Sequence, residues 1–206
     1  MLTGDKISSL VIDTLYDQAY EQNIAILSLY CDYRTQKEQS AVNMIGGLVG
    51  QVYWEAAGVR REIRRAFQES GGGGRRGLRM PDMLKLFIKV TGSIDRVYIC
   101  VDAVDELLPE NRSEFLRALR QIIQYAPNIR LFLTARSCIC AELGKHLVQD
   151  PYTIKIMADQ GDITRYLNHM LDYDLDPALM TEDLRAGIIE TILGKASEMC
   201  VGETLF

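Results

Sequence analysis

The stretch Val97-Tyr-Ile-Cys-Val-Asp-Ala-Val-Asp-Glu106 decides how the rest of the chain is read. An uncharged run leads straight into Asp102, and two more carboxylates follow at Asp105 and Glu106. Such a continuous apolar run, with no apolar–polar alternation, is the pattern of a strand buried on both faces, as in a parallel sheet. Ligands of open parallel sheets bind beyond the carboxyl ends of the strands. Asp102 therefore stands where chemistry is expected, and it suits Mg²⁺, an ion that prefers oxygen ligands and keeps several waters. Asp105 or Glu106, one turn on, is placed to orient or deprotonate an attacking water. The competing account is that these acids cap the next segment or are merely solvated, and this stretch alone leaves the two level.

The segment Leu131-Phe-Leu-Thr-Ala-Arg-Ser137 shifts the balance. It reads as another buried strand, ending in Thr134 and Arg136 at the same rim. A hydroxyl and a guanidinium there suit the sensing or neutralising of a terminal phosphate; the plainer role for Arg136 is an ion pair with a neighbouring acid. Ile24 to Tyr30 is a further apolar strand and Tyr152 to Ile156 a weaker one. Between them lie helical periodicities. Residues 7–22 place Leu10, Val11, Thr14, Leu15 and Ala19 on one stripe, and Ser40 to Tyr53 and Val59 to Glu69 follow. Pro81 opens a helix that ends near Gly92. Ser113 to Tyr125, Asp162 to Tyr173 and Leu179 to Glu198 complete the set. Ser70 to Gly77, SGGGGRRG, is a linker, because its glycines hold no regular element. Strands separated by helices give an α/β fold: a three-layer parallel sheet with helices on both faces.

Composition narrows the class. The chain has 206 residues, 48% hydrophobic and 25% charged, which excludes collagen-like, low-complexity and wholly disordered proteins. No run approaches the ~20 apolar residues of a membrane span, and MLTGDKISSL lacks the signature of a signal peptide. A net charge of −5 gives the whole no bulk attraction for nucleic acid. Five cysteines, an odd count without an export signal, indicate reduced thiols and a cytoplasmic location.

Asp102-Ala-Val-Asp-Glu-Leu107 after an apolar strand, followed by Leu131 to Ser137, resembles the Walker B and sensor segments of NACHT-type P-loop NTPases, members of the STAND class. The upstream LSLYCDYRTQKEQSAVNMIGGLVGQV, Leu27 to Val52, is similar to the strand and helix that precede Walker B in fungal NACHT proteins with a nephrocystin 3-like N-terminal domain. Ile7 to Leu15, ISSLVIDTL, resembles the helix that follows their Walker A lysine. The similarity runs from about Ile7 to about Ala196. It implies ATP or GTP with Mg²⁺ as cofactor, Asp102 as the metal acid, Asp105 and Glu106 as the acidic pair near the attacking water, and Arg136 as the sensor arginine.

The departure from that family lies in the phosphate cradle. A phosphate loop needs a strand, a glycine-rich turn and Lys-Ser/Thr opening a helix. Gly4, Lys6 and Ser8 or Ser9 echo those residue types without the GxxxxGK[ST] spacing, and Asp5 adds a negative charge. The chain is therefore expected to begin inside or just after the loop. In this class the first strand lies beside the strand ending in Thr134, so the sheet is expected to lack that strand, with 152–156 or another chain filling the edge. Residues 1–158 read as the incomplete core and 159–206 as the start of the following helical segment, including LGKASEMCVGETLF.

The function this implies is a NACHT-like NTPase-derived signalling module with weak or absent hydrolysis. The alternatives are a non-enzymatic pseudo-NTPase interaction module and a non-functional fragment. Expected partners are nucleotide and other proteins, full-length homologues among them, without membrane or specific nucleic acid. Arg60, Arg61, Arg64, Arg65, Arg75, Arg76 and Arg79 read as a solvated face in preference to an anion-binding patch. Cys138 and Cys140 lack further ligands for a metal. Cys31 and Cys100 read as small hydrophobes, His146 and His169 as structural or surface residues, and Trp54 as packing.

Overall fold

The computed structural model of the protein describes residues 4–19, 22–69, 78–147, 152–156, 159–174, 180–196 and 201–205. The three apolar runs become β1 (Ile24–Tyr30), β2 (Arg96–Asp102) and β3 (Ile129–Arg136), parallel neighbours in that order. Alternate residues go to opposite faces. Leu27, Val97, Ile99, Val101, Leu131 and Leu133 join the larger core, whereas Ile26, Cys100 and Phe132 face the other way.

On the larger face lie α2 (Ala41–Glu55), α4 (Met80–Thr91) and α5 (Pro109–Tyr125). Ser40 starts α2 as a cap: its backbone is extended and its hydroxyl accepts from the Asn43 N–H at 3.3 Å. Helix α5 begins four residues before the expected Ser113, because Pro109 sits at its first turn, where a missing N–H costs nothing. The shorter α3 (Arg60–Glu69) and α6 (Cys140–His146) flank these helices, and the linker 70–77 lies outside the described residues.

The opposite face is covered by α1 (Gly4–Ala19), which packs on β1 and β2. Its inward stripe is Ser8, Val11, Ile12, Leu15 and Ala19, which keeps Val11, Leu15 and Ala19 of the expected stripe but replaces two members: Leu10 is 62% exposed and Thr14 is also outside. Ser8 and Ile12, one turn apart, are the buried members, so a polar residue lies on the sheet-facing side.

The edges carry the main surprise. Beside β3 lies β5 (Val201–Leu205), antiparallel, with Phe132 opposite Leu205 and Arg136 opposite Val201. β4 (Tyr152–Ile156) pairs with the far side of β5 and so runs parallel to β1, β2 and β3; the order is β1-β2-β3-β5-β4. Two expectations are corrected. Residues 152–156 do not pair with 130–134, and 201–205 are a strand, not part of a helical segment. The reason is the demand of β3: with Leu131, Phe132 and Leu133 buried, its outward N–H and C=O groups need a partner. VGETL supplies one, since Gly202 disfavours helix and Val201 and Thr204 favour extended backbone.

The β1 edge is closed differently. The Gln51 carboxamide on α2 donates to Ser28 O and accepts from Ser28 N–H, both at 2.8 Å, standing in for a neighbouring strand. Beyond the sheet, α7 (Gln160–Asp174) and α8 (Glu182–Ala196) pack on each other, and α8 has no buried residue among those described. Trp54 is 73% exposed, its ring edge-on to Tyr53, and does not fill the core. No described helix is long and apolar enough to cross a membrane.

Candidate functional site

The site is built where β2 ends. Asp102 is the last residue of β2 and is 3% exposed. The chain turns at once: Ala103 has φ 52° and ψ 47°, the only non-glycine residue with positive φ among those described. This left-handed turn aims the Ala103 N–H at Thr134 Oγ1, 2.8 Å away on β3. Thr134 Oγ1 donates in turn to Asp102 Oδ1 at 2.5 Å. The buried Ser8 hydroxyl donates to the same oxygen at 2.5 Å. Three elements, α1, β2 and β3, thus converge on one carboxylate oxygen. Among the described residues, Oδ2 has no donor and no Lys or Arg pairs with Asp102.

A left-handed conformation costs an L-residue roughly 1–2 kcal/mol, and more when the side chain is branched at Cβ. Ala103→Gly is therefore expected to leave stability within about 0.5 kcal/mol, relief of strain offsetting the freer unfolded chain. Ala103→Val is expected to destabilise by roughly 1–3 kcal/mol. Urea unfolding of the two variants checks this; equal stability would mean that the turn is not left-handed.

The other acids are already engaged. Asp105 accepts from the Arg136 N–H at 3.1 Å, and its other oxygen lies 3.5 Å from Arg136 Nε. The plainer reading of Arg136, a partner for a nearby acid, is the arrangement found; its side chain is otherwise 67% exposed. Glu106 accepts the Tyr33 N–H at 3.0 Å through Oε2, and its carbonyl accepts from Gln36 Nε2 at 2.6 Å. Asp102, Asp105 and Glu106 do not gather at one point: no group of three His, Cys, Asp or Glu able to hold a metal occurs among the described residues. Gly4 and Lys6 lie in the first turn of α1, where a phosphate loop places its lysine, but without the GxxxxGK[ST] spacing.

The turn is braced from behind by residues the sequence did not single out. Arg112 on α5 donates to the carbonyls of Asp105 and Leu107 at 3.2 and 3.1 Å and pairs with Glu142 of α6 at 2.8 Å. Ser113 also donates to Glu142 at 3.1 Å. No motif marks these residues; only the meeting of α5 and α6 does. Burial works to raise the Glu142 pKa, but the Arg112 hydrogen bond and charge, the Ser113 hydroxyl and the His146 charge outweigh it and hold it below the ordinary 4.5. A folded value below the unfolded one stabilises fully above about pH 4.5 and is lost as pH falls through the depressed value. Arg112→Ala is expected to cost about 2 kcal/mol at pH 7 and distinctly less near pH 3. Chemical denaturation at the two pH values tests this, and a pH-independent loss would contradict it.

Cys31 and Cys100 behave as hydrophobes. Burial pushes Cys100 up to about 12, and burial followed by the charges of Asp102, Glu106 and Asp105 pushes Cys31 up. Neither is a thiolate nucleophile at neutral pH. The arginines of α3 make local contacts: Arg60 donates to the Tyr53 and Trp54 carbonyls, Arg64 to the Tyr53 hydroxyl, and Arg65 to Glu69. Arg75 and Arg76 lie outside the described residues.

Mg²⁺ suits the donors at Asp102. They are all oxygen, one carboxylate oxygen is held in place by two hydroxyls, and the other has no donor among the described residues. A single protein carboxylate, with water and phosphate completing the shell, is a normal magnesium arrangement.

Fold and site together define an α/β protein with helices on both faces of a three-strand parallel core, a layering consistent with a P-loop-like fold, and with Ser8, Asp102 and Thr134 joined at the carboxyl rim of those strands. The chain belongs to the nephrocystin 3, N-terminal family, whose model matches residues 6–136, more than half of its length. Comparison with curated proteins and with solved structures gives no match.

Proposed function

We propose that this chain is a NACHT-like, NTPase-derived signalling module that holds a magnesium nucleotide, ATP or GTP, at the Asp102 rim and hydrolyses it weakly or not at all. The observation that carries the reading is the buried Asp102 carboxylate, with no cationic partner among the described residues and two hydroxyls fixing one oxygen. Burying such a charge is costly unless something compensates it, and a divalent cation does. When bound, Mg²⁺ supplies positive charge against the phosphates. Asp102 would hold it, Ser8 and Thr134 would orient Asp102, and Arg136 would present a mobile cation to the terminal phosphate once released from Asp105. Weak hydrolysis follows because Gly4, Lys6 and Ser8 lack the GxxxxGK[ST] spacing that wraps backbone amides around the phosphates ahead of the helix. In this reading the protein works in the cytoplasm with protein partners, full-length homologues among them.

A second reading, a non-enzymatic interaction module, draws on the outer edge at β4, where Tyr152 is 74% and Ile154 42% exposed. Titration of ATP and GTP, with and without Mg²⁺, separates the two. Magnesium-dependent binding that Asp102→Asn removes supports the first; affinity indifferent to both metal and Asp102 removes it.

A further inference from the structure

We infer that Glu106 is a positioning residue: with Gln36 it latches the segment between β1 and α2 onto the acidic turn, and it does not touch the ligand. The inference rests on the nucleotide reading only in its second half.

Segment 32–39 leaves β1 at the rim, one strand away from Asp102, because Tyr30 is the register partner of Asp102. Two links join it to the turn after β2. The Tyr33 N–H has the Glu106 carboxylate as its acceptor at 3.0 Å, and Gln36 Nε2 donates to the Glu106 carbonyl at 2.6 Å. One residue of the turn thus receives both, through its side chain and its main chain. The Cys31 N–H adds a bond to the Asp102 carbonyl at 3.0 Å, just before the segment begins. The segment is also organised from within: the Asp32 side chain accepts from the Arg34 N–H at 2.9 Å and pairs with its guanidinium at 2.8 Å, so its cation is satisfied locally.

The chemistry separates the two neighbouring acids. Asp105 is tied to Arg136, an exposed side chain able to swing away, which would free a carboxylate at the rim. Glu106 is tied to a backbone amide, which has no such freedom. A carboxylate serving as hydrogen-bond acceptor is replaceable by a carboxamide, whose carbonyl oxygen also accepts; a carboxylate serving as a base or a ligand is not.

Hydrogen exchange of the Tyr33 amide, followed by NMR on the full chain without nucleotide, tests the latch. Titration of the same variants with magnesium ATP and GTP tests the division of roles. Glu106→Ala and Gln36→Ala are expected to speed Tyr33 exchange about tenfold, whereas Glu106→Gln keeps it within about threefold of the parent. Glu106→Gln is also expected to keep the parental nucleotide affinity while Glu106→Ala weakens it. Unchanged Tyr33 exchange in Glu106→Ala would overturn the latch. Loss of nucleotide binding in Glu106→Gln, with Tyr33 still protected, would overturn the positioning role. Should the parent bind no nucleotide, the proposed function fails, and the exchange result alone decides the latch.

Discussion

Removal of residues 201–206 is expected to abolish cooperative folding, or to lower stability by about 5 kcal/mol or more. β5 pairs with five residues of β3 on one side and five of β4 on the other. Each ladder bond contributes ~1 kcal/mol net, and leaving a buried donor or acceptor unpaired costs more. The groups exposed are not on a polar margin: they belong to β3, where Leu131, Leu133, Thr134 and Ala135 are all buried. β4 would lose its link to the sheet as well, since its pairing runs through β5. A loss of this size matches much of the ~5–15 kcal/mol that holds a typical domain together. Thr204→Pro makes the same point within the full-length chain, because proline in an interior strand removes a donor and clashes with the ladder. Urea unfolding and the soluble yield report both variants. A shortened chain with an unchanged transition would mean that β5 does not hold this position in solution.

That prediction concerns the part of the fold least visible in the sequence. β1, β2 and β3 were legible because each centres on a short apolar run, residues 24–27, 97–101 and 131–133, with no apolar–polar alternation across it, the composition that burial on both faces favours. VGETL has only five residues, no apolar run and a preceding helical periodicity, so nothing local marks it as a strand. Its extended state follows from β3, and a demand made by another element is not written in a segment's own residues. The stripe of α1 was right at Val11, Leu15 and Ala19 and wrong at Leu10 and Thr14 for a related reason. Periodicity favoured Leu10, but the helix turns Ser8 inward because Asp102 accepts its hydroxyl, which takes Leu10 to the solvent side.

The rim shows the same division. Asp102, Thr134 and Arg136 could be placed from strand ends alone, and Ser8 came with the family resemblance. What each side chain bonds to was not legible. Asp105 and Glu106 are adjacent and chemically alike, yet one faces Arg136 and the other the Tyr33 amide. The 3-10 turn at Val104–Glu106 points them apart, and that turn depends on the left-handed Ala103, a conformation no pattern of residue types announces. Arg112 and Glu142, thirty positions apart, meet only because α5 and α6 pack together.

Asp102→Asn is expected to move stability and binding in opposite directions. The carboxamide oxygen still accepts from Ser8 and Thr134, so the geometry that joins α1, β2 and β3 is kept. What disappears is a negative charge held 3% exposed, with no Lys or Arg beside it among the described residues. Without a bound cation that charge is a cost to the fold, and its removal is expected to stabilise by roughly 1–2 kcal/mol. For a chain of this size that is a rise in Tm of about 2–8 °C. Magnesium-dependent nucleotide affinity should fall by at least about 100-fold, since even residues one step removed from a metal typically account for 10–100-fold. A group retained at the expense of stability is characteristic of a functional site, whereas a structural residue loses stability when replaced. Thermal melts with and without Mg²⁺ and nucleotide, run beside the titrations, read both effects. A variant less stable than the parent and unaltered in binding would make Asp102 a structural acid, and the nucleotide reading would fall with it.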